Sequence, residues 1–302
     1  LPRIVWVPPA HIGELGELPQ GFEARPIPAD PLSDPDIGAV EIVVVRFRDD
    51  LDPLYPALSA LRVVQTVGAG VDHHVKSVPP HVTLCSAKGT HDTDVAEYVL
   101  AAVLGAQRQL TFFRDEQLAG RWTPRPSIRL AGSVVMILGY GSIGAAVEER
   151  LACFGVRIVR VARTAREGVA AVDALPDLIG EADVVIVLTA LTEETYHLLD
   201  GPMLARMHDG ALLVNAARGG IVDADALLAE VRADRLRAVI DATDPEPLPE
   251  GHPMYSAPNL LLTPHSAGGT VHALADVYAL ITAQIWRYAA GDPLHNVVTG
   301  GY

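Results

Sequence analysis

Short apolar runs, each closed by glycine, proline or charge, recur along the chain, and most are too short to be helices. Those at 4–7, 42–45 and 63–67 are continuous rather than alternating, the pattern of strands buried on both faces of a parallel sheet. Between the first two, Pro19, Pro26, Pro28, Pro31 and Pro35 predict an irregular surface path. Residues 95–110 predict a long helix, apolar on most sides and therefore buried. The stretch 111–129 is polar and broken by Gly120, Pro124 and Pro126, with Trp122 in its middle. It reads equally as a surface connection or as an arm packing on a second subunit. From residue 134 the alternation becomes regular, with strands at 134–138, 156–161, 184–188, 212–214, 238–240 and 260–262 and helical segments such as 225–233 between them. Six strands with crossovers predict an α/β, doubly wound parallel sheet. A second long helix follows at 271–290.

The most informative run is V-V-M-I-L-G-Y-G-S-I-G, residues 134–144, in which a buried strand ends in Gly139, Gly141 and Gly144. Ile143, Val147 and Leu151 continue at helical spacing, Gly155 closes the helix, and the next strand starts at once. That context makes G-x-G-x-x-G a dinucleotide fingerprint. The free N–H groups and positive end of the helix suit a pyrophosphate.

Composition narrows the partners. A net charge of −14 over 302 residues argues against nucleic acid and anionic membranes. No apolar run is long enough to cross a bilayer and the N-terminus lacks a signal-peptide layout, so a cytoplasmic location is expected. Cys85 and Cys153 are expected to be small buried thiols in a reducing compartment. No metal site is expected: the adjacent His73 and His74 should point apart, and His91 and Asp92 read as a capping or loop pair.

The second strand of a dinucleotide fold ordinarily ends in an acid that binds the adenosine ribose. Here Ala162 takes that place, followed by Arg163, Thr164 and Arg166. Without a carboxylate to repel a 2′-phosphate, and with guanidinium groups to pair with it, NADP(H) is expected over NAD(H), with NAD(H) still possible. At the end of an earlier strand, Gly68, Ala69 and Gly70 could offer backbone N–H groups to a carboxylate, or form a simple tight turn. Later strand ends carry Arg218, then Asp241, Asp244 and Glu246, then His265. Reducing a 2-oxo acid needs an arginine fork for the carboxylate and carbonyl, a histidine as proton donor, and a carboxylate to hold the imidazole. Arg218, His265 and Glu246 meet those needs. Arg46 and Arg48 read as a solvated strand end, with contact to a second substrate anion as the alternative.

Taken together, T-V-G-A-G-V-D at 66–72, V-A-E at 95–97, G-Y-G-S-I-G at 139–144, N-A-A-R-G at 215–219, D-A-T-D-P-E-P-L at 241–248 and T-P-H at 263–265 resemble the D-isomer-specific 2-hydroxyacid dehydrogenase family. The likeness runs over nearly the whole chain and favours its NADP-preferring, glyoxylate/hydroxypyruvate reductase-like branch. It implies a Rossmann cofactor domain, residues 101–270, inserted into a flavodoxin-like α/β substrate domain made of 1–100 and 271–302. Two long helices would link the domains, and the cofactor domains would pair into a homodimer. Arg218 would bind the substrate carboxylate and carbonyl, His265 would be the acid/base with Glu246 as its partner, and the backbone at Ala69 and Gly70 would receive the carboxylate. The cofactor would meet Gly139, Gly141, Ser142, Ile143, Gly144, Arg163, Thr164, Arg166, Thr189, Ala216, Asp241 and Gly268. Departures are Ala162, Ala190 where the family often has proline, and Asp92 where many members have threonine near the cofactor. Glu246 argues against formate-oxidising relatives, which carry glutamine. The expected activity is hydride transfer between NADP(H) and a small 2-oxo or D-2-hydroxy acid. Phosphite oxidation is an alternative within the same residues. A nucleotide-sensing, corepressor-like interaction protein is an alternative of another class, disfavoured because the sequence has no disordered extension.

Overall fold

The computed structural model describes residues 2–47 and 49–299; Arg48 lies outside the described residues. Its contacts divide the chain into two units, Leu1–His91 with Thr270–Tyr302, and Asp92–Gly269.

The first unit is a five-stranded sheet, β1 (Arg3–Val7), β2 (Phe22–Pro26), β3 (Val40–Val45), β4 (Val63–Thr66) and β5 (Thr83–Cys85), in the order β2-β1-β3-β4-β5. All these pairings are parallel. That strand order is the flavodoxin-like one. One face packs Trp6, Val43, Val45, Val64 and Leu84 among loop side chains. The other packs Val5, Val7, Ile42, Val44 and Val63 against Val277, Tyr278, Ile281 and Ile285 of the helix Ala273–Ala290. Those helix residues recur at the spacing that puts them on one stripe.

Two strands here differ from the sequence expectation. The proline-marked path contains β2, and β5 has only three residues. F-E-A-R-P is a half-exposed edge strand that alternates with charge and stops at proline, so it carries no buried run. Arg46 does not extend a free guanidinium toward a ligand. It forms a fork with Asp49, at 2.8 Å from Nη2 and 3.1 Å from Nε to Oδ1. The adjacent histidines do point apart: His74 is buried with its ring nitrogen 3.2 Å from the Arg46 carbonyl, while His73 is half exposed.

The second unit begins with α1 (Asp92–Gln107) and α2 (Leu110–Leu118). The sequence predicts one helix to residue 110, but Gln109 takes the left-handed conformation at φ 55° and the chain restarts as a second helix. Thus part of the predicted polar arm is helical, and residues 117–129 that end it are all exposed. The sheet follows as β6 (Val134–Leu138), β7 (Arg157–Ala162), β8 (Ala170–Ala171), β9 (Val184–Val187), β10 (Leu212–Asn215), β11 (Arg237–Ile240) and β12 (Leu260–Leu262). Its crossovers include α3 (Ser142–Leu151), the one-turn helices α4 (Leu175–Leu178) and α5 (Gly201–Leu204), and α6 (Ala224–Arg232). The strand order is β12-β11-β10-β9-β6-β7-β8, all parallel, so the order reverses between β6 and β9.

Alternate residues of each central strand feed opposite cores. Met136, Leu138, Val185, Val187 and Leu213 face one side, and Val135, Ile137, Val184, Ile186 and Leu212 face the side covered by α1 and α3. A strand covered on both faces cannot alternate with polar residues, which is why these segments read as continuous apolar runs. Cys85 is buried, and burial pushes its thiol up to about 11. Cys153, expected buried, is exposed, because the α3 helix ends at Leu151 and the turn 152–154 after it lies at the surface.

Candidate active site

In an open parallel sheet, ligands bind outside the carboxyl ends of the strands, where the order reverses. At that place β6 runs into Gly139, whose φ is +101°. A Cβ on Gly139 would lie 2.3 Å from the Thr189 nitrogen, in the loop that follows β9. Only glycine lets the two loops meet so closely. Gly144 seats α3 on the sheet, since a Cβ there would press Ile137 at 3.1 Å and the Gly139 carbonyl at 3.2 Å. The first intrahelical bond of α3 runs from Ala145 N–H to the Gly141 carbonyl. The N–H groups of Ser142, Ile143 and Gly144 therefore have no acceptor among the described residues, and no side chain caps them. Three such donors at the positive end of a ten-residue helix fit a dinucleotide pyrophosphate.

Beside this turn, β7 ends at Ala162, and Arg163, Thr164 and Arg166 are exposed in the loop beyond it. Arg166 donates to the Tyr140 carbonyl and lies over the Tyr140 ring. Across the β6 edge, the turn Thr192–Thr195 is closed by the two threonine hydroxyls. The Glu194 carboxyl there is held below the usual carboxylate range by the Thr192 hydroxyl and its own N–H, with the charge of Arg163 adding to the effect.

The remaining candidates follow three neighbouring strands, with Asn215 of β10 in register with Ile240 of β11 and Ile240 with Leu262 of β12. At roughly 4.8 Å between strands, their ends span about 10 Å. Arg218 follows β10, in a turn fixed by the buried Asn215. That side chain donates to the Arg218 carbonyl at 2.9 Å and accepts from Ala217 N–H at 3.1 Å. After it, a Cβ on Gly219 would sit 2.0 Å from the Thr243 carbonyl carbon, so the loops after β10 and β11 meet backbone to backbone.

Glu246 and His265 come together across the loops after β11 and β12. Glu246 Oε1 lies 2.9 Å from His265 Nδ1, with both side chains partly exposed. A carboxylate at Nδ1 fixes the tautomer with the proton on that nitrogen and makes Nε2 the nitrogen that can exchange a proton with a ligand. His265 itself takes φ 51°, and its N–H is tied to the Asp241 carbonyl at 2.8 Å. The Asp241 carboxylate is buried and accepts from the Thr263 hydroxyl at 2.6 Å, Ser266 N–H at 2.8 Å and Ala267 N–H at 2.9 Å. It clamps the loop that carries His265. Tyr98 of α1 completes the clamp through a hydrogen bond between its hydroxyl and that of Thr263, and burial raises its pKa to about 12.

Asn215, Gly219, Tyr98 and Thr263 escape a reading of the sequence for reactive groups. Only the glycine beside Arg218 signals its role. Ala216 and Gly268 lie in the same strand-end loops, after β10 and β12. In the first unit, the turn after β4 leaves the N–H groups of Ala69 and Gly70 without an acceptor among the described residues. No group of three His, Cys, Asp or Glu able to hold a metal ion occurs among the described residues. No described helix is long and apolar enough to cross a membrane.

The family model for the D-isomer specific 2-hydroxyacid dehydrogenase NAD binding domain matches residues 100–267. The chain belongs to this family. Its members are NAD(P)-dependent 2-hydroxyacid dehydrogenases and reductases, and the chain is an enzyme of that class. It is 32% identical over 265 residues to (S)-sulfolactate dehydrogenase of Chromohalobacter salexigens, covering 83% of this chain and 85% of that protein. It is 30% identical over 297 residues to human glyoxylate reductase/hydroxypyruvate reductase, covering 92% and 89%. Among solved structures, an NADPH-dependent glyoxylate/hydroxypyruvate reductase of Sinorhizobium meliloti in complex with NADP and sulfate superposes with a TM-score of 0.85, at 26% identity, over 98% of each chain.

Proposed function

We propose that this 2-hydroxyacid dehydrogenase reduces a small 2-oxo acid of the glyoxylate or hydroxypyruvate type with NADPH. The observation that carries the reading is the Glu246–His265 pair at 2.9 Å, held beside the Arg218 turn at the carboxyl edge of the dinucleotide sheet. The bound nicotinamide supplies hydride to the carbonyl carbon. Arg218 binds the carboxylate and the carbonyl oxygen through its fork, and draws charge toward that oxygen as the hydride arrives. His265, as the imidazolium that Glu246 stabilises through Nδ1, gives the oxygen its proton from Nε2 and is left as neutral imidazole. Asp241 acts at the nicotinamide end as well as clamping the His265 loop, while Thr189, Ala216 and Gly268 line the cofactor.

The preference for NADP(H) rests on Ala162 standing where an acid would bind a ribose, with Arg163, Thr164 and Arg166 exposed beyond it. The NADP complex of the Sinorhizobium meliloti reductase supports it. The working assembly is a homodimer through the cofactor unit, for which the exposed Leu118, Trp122 and Ile128 provide apolar surface.

Steady-state rates over a panel of 2-oxo acids with NADPH and NADH test the reading. Turnover of a small 2-oxo acid with a clear NADPH preference is expected. Equal or better use of NADH overturns the role of Arg163, and no turnover on any 2-oxo acid moves the protein to the nucleotide-sensing class. Gel filtration tests the dimer.

A further inference from the structure

The dinucleotide turn has an acidic neighbour that the glycine fingerprint does not announce. Asp92, the first residue of α1, accepts a hydrogen bond from the Ser142 hydroxyl at 3.1 Å. Ser142 is the first residue of α3, directly after Gly141. The contact between Asp92 and Ser142 is partly buried and so partly shielded from water.

We propose that Asp92 is a resident counter-charge at the pyrophosphate site, which lowers the affinity for the dinucleotide and speeds its release. Ser142, Ile143 and Gly144 offer three N–H groups without acceptors among the described residues, at the positive end of α3. A carboxylate fixed to the Ser142 hydroxyl partly neutralises that field while the cofactor is absent. When a dinucleotide enters, its two phosphate charges arrive beside a charge of the same sign, and the Ser142 hydroxyl is already donated elsewhere. Both effects act on the pyrophosphate, which NAD and NADP share. Asp92 thus sets how tightly either cofactor is held, while Arg163 and Arg166 set which one is chosen.

The inference rests on the assignment of the dinucleotide to the glycine turn, and the test separates the two. Dissociation constants for NADP+ and NAD+ are measured by calorimetry on the wild type, D92N and D92S, at low and high ionic strength. D92N keeps an oxygen for the Ser142 hydroxyl but removes the charge, and D92S substitutes a small helix-starting side chain that guards against a local effect of the amide. Both variants are expected to tighten NADP+ and NAD+ by a similar factor, roughly five- to thirty-fold for one charge removed at a partly buried site. The gain should shrink at high salt. Unchanged or weakened binding in both variants overturns the proposal, as does a change confined to one cofactor. A wild type that binds neither nucleotide overturns the assignment of the glycine turn itself, whatever the variants do.

Discussion

Gly139 and Thr189 touch backbone to backbone, so that a single methyl group on Gly139 would stand 2.3 Å from the Thr189 nitrogen. The φ of +101° at Gly139 is itself poorly open to other residues. G139A must therefore push apart the loops after β6 and β9, the two strands where the sheet order reverses. We expect a melting temperature lowered by several degrees, given about 1–3 kcal/mol of backbone strain. Dinucleotide affinity should fall at least about ten-fold, as the turn that presents the α3 N–H groups is displaced. A variant that binds NADP+ like the wild type would show that the close approach is incidental.

H265Q should lower the rate of 2-oxo acid reduction by roughly 10² or more, the usual contribution of a general acid. The dissociation constant of NADP+ should stay within about two-fold of the wild-type value, since His265 is assigned to the substrate carbonyl. E246Q is expected to cost less, because glutamine can still accept from Nδ1–H but cannot offset an imidazolium. Single-turnover rates measured with pre-bound NADPH check both variants. A near-wild-type rate in H265Q sinks the acid/base assignment.

Tyr98 joins α1 to the His265 loop through the Thr263 hydroxyl, and burial raises its pKa from 10.0 to about 12. Tyr55, partly buried in the first unit, is raised to about 12 as well. A raised pKa means the folded protein holds the proton more tightly than the unfolded chain does. The stability from these groups is present in full below pH 10 and is lost as the pH climbs through about 12. Melting temperatures should accordingly fall over that window, and Y98F should flatten the fall. At neutral pH, Y98F removes one partly buried hydrogen bond, for about 1 kcal/mol. An unchanged alkaline limb in Y98F would remove Tyr98 from the account.

Glu116 of α2 accepts hydrogen bonds from Arg121 and from the Thr123 hydroxyl, and these hold its carboxyl down at about 2. A lowered carboxyl pKa makes the contribution present above 4.5 and lost as the pH falls toward 2. E116Q should loosen the stretch that displays Trp122, which is 98% exposed. Limited proteolysis with trypsin should then cut after Arg121 several times faster, with the global melting temperature unchanged, as expected for an ion pair at the surface. Equal cutting rates would mean that the segment is ordered by something else.

The central strands were legible because a parallel strand covered on both faces must be apolar throughout. Val134–Leu138 and Leu260–Leu262 match the expected limits residue for residue. The edge strand Phe22–Pro26 was not legible, because one side of an edge strand faces water and its charges mask the pattern. The break at Gln109 was hidden for another reason. Its left-handed φ of 55° is set by where the chain must turn, and glutamine announces no such turn. In the site, groups with reactive side chains were found from their types and order. Asn215, Thr263 and Tyr98 act by holding loops, and nothing in a threonine or tyrosine taken alone says which loop it will meet.

The division of the chain has a bearing on how it is made. The second unit, Asp92–Gly269, is contiguous, whereas the first draws on both chain ends. During synthesis the ribosome delivers a complete second unit while Val5, Val7, Ile42, Val44 and Val63 still await the helix Ala273–Ala290 that covers them. One face of the first sheet is therefore an exposed apolar surface until the helix Ala273–Ala290 has emerged, the interval in which such a nascent chain is most open to chaperones and to aggregation.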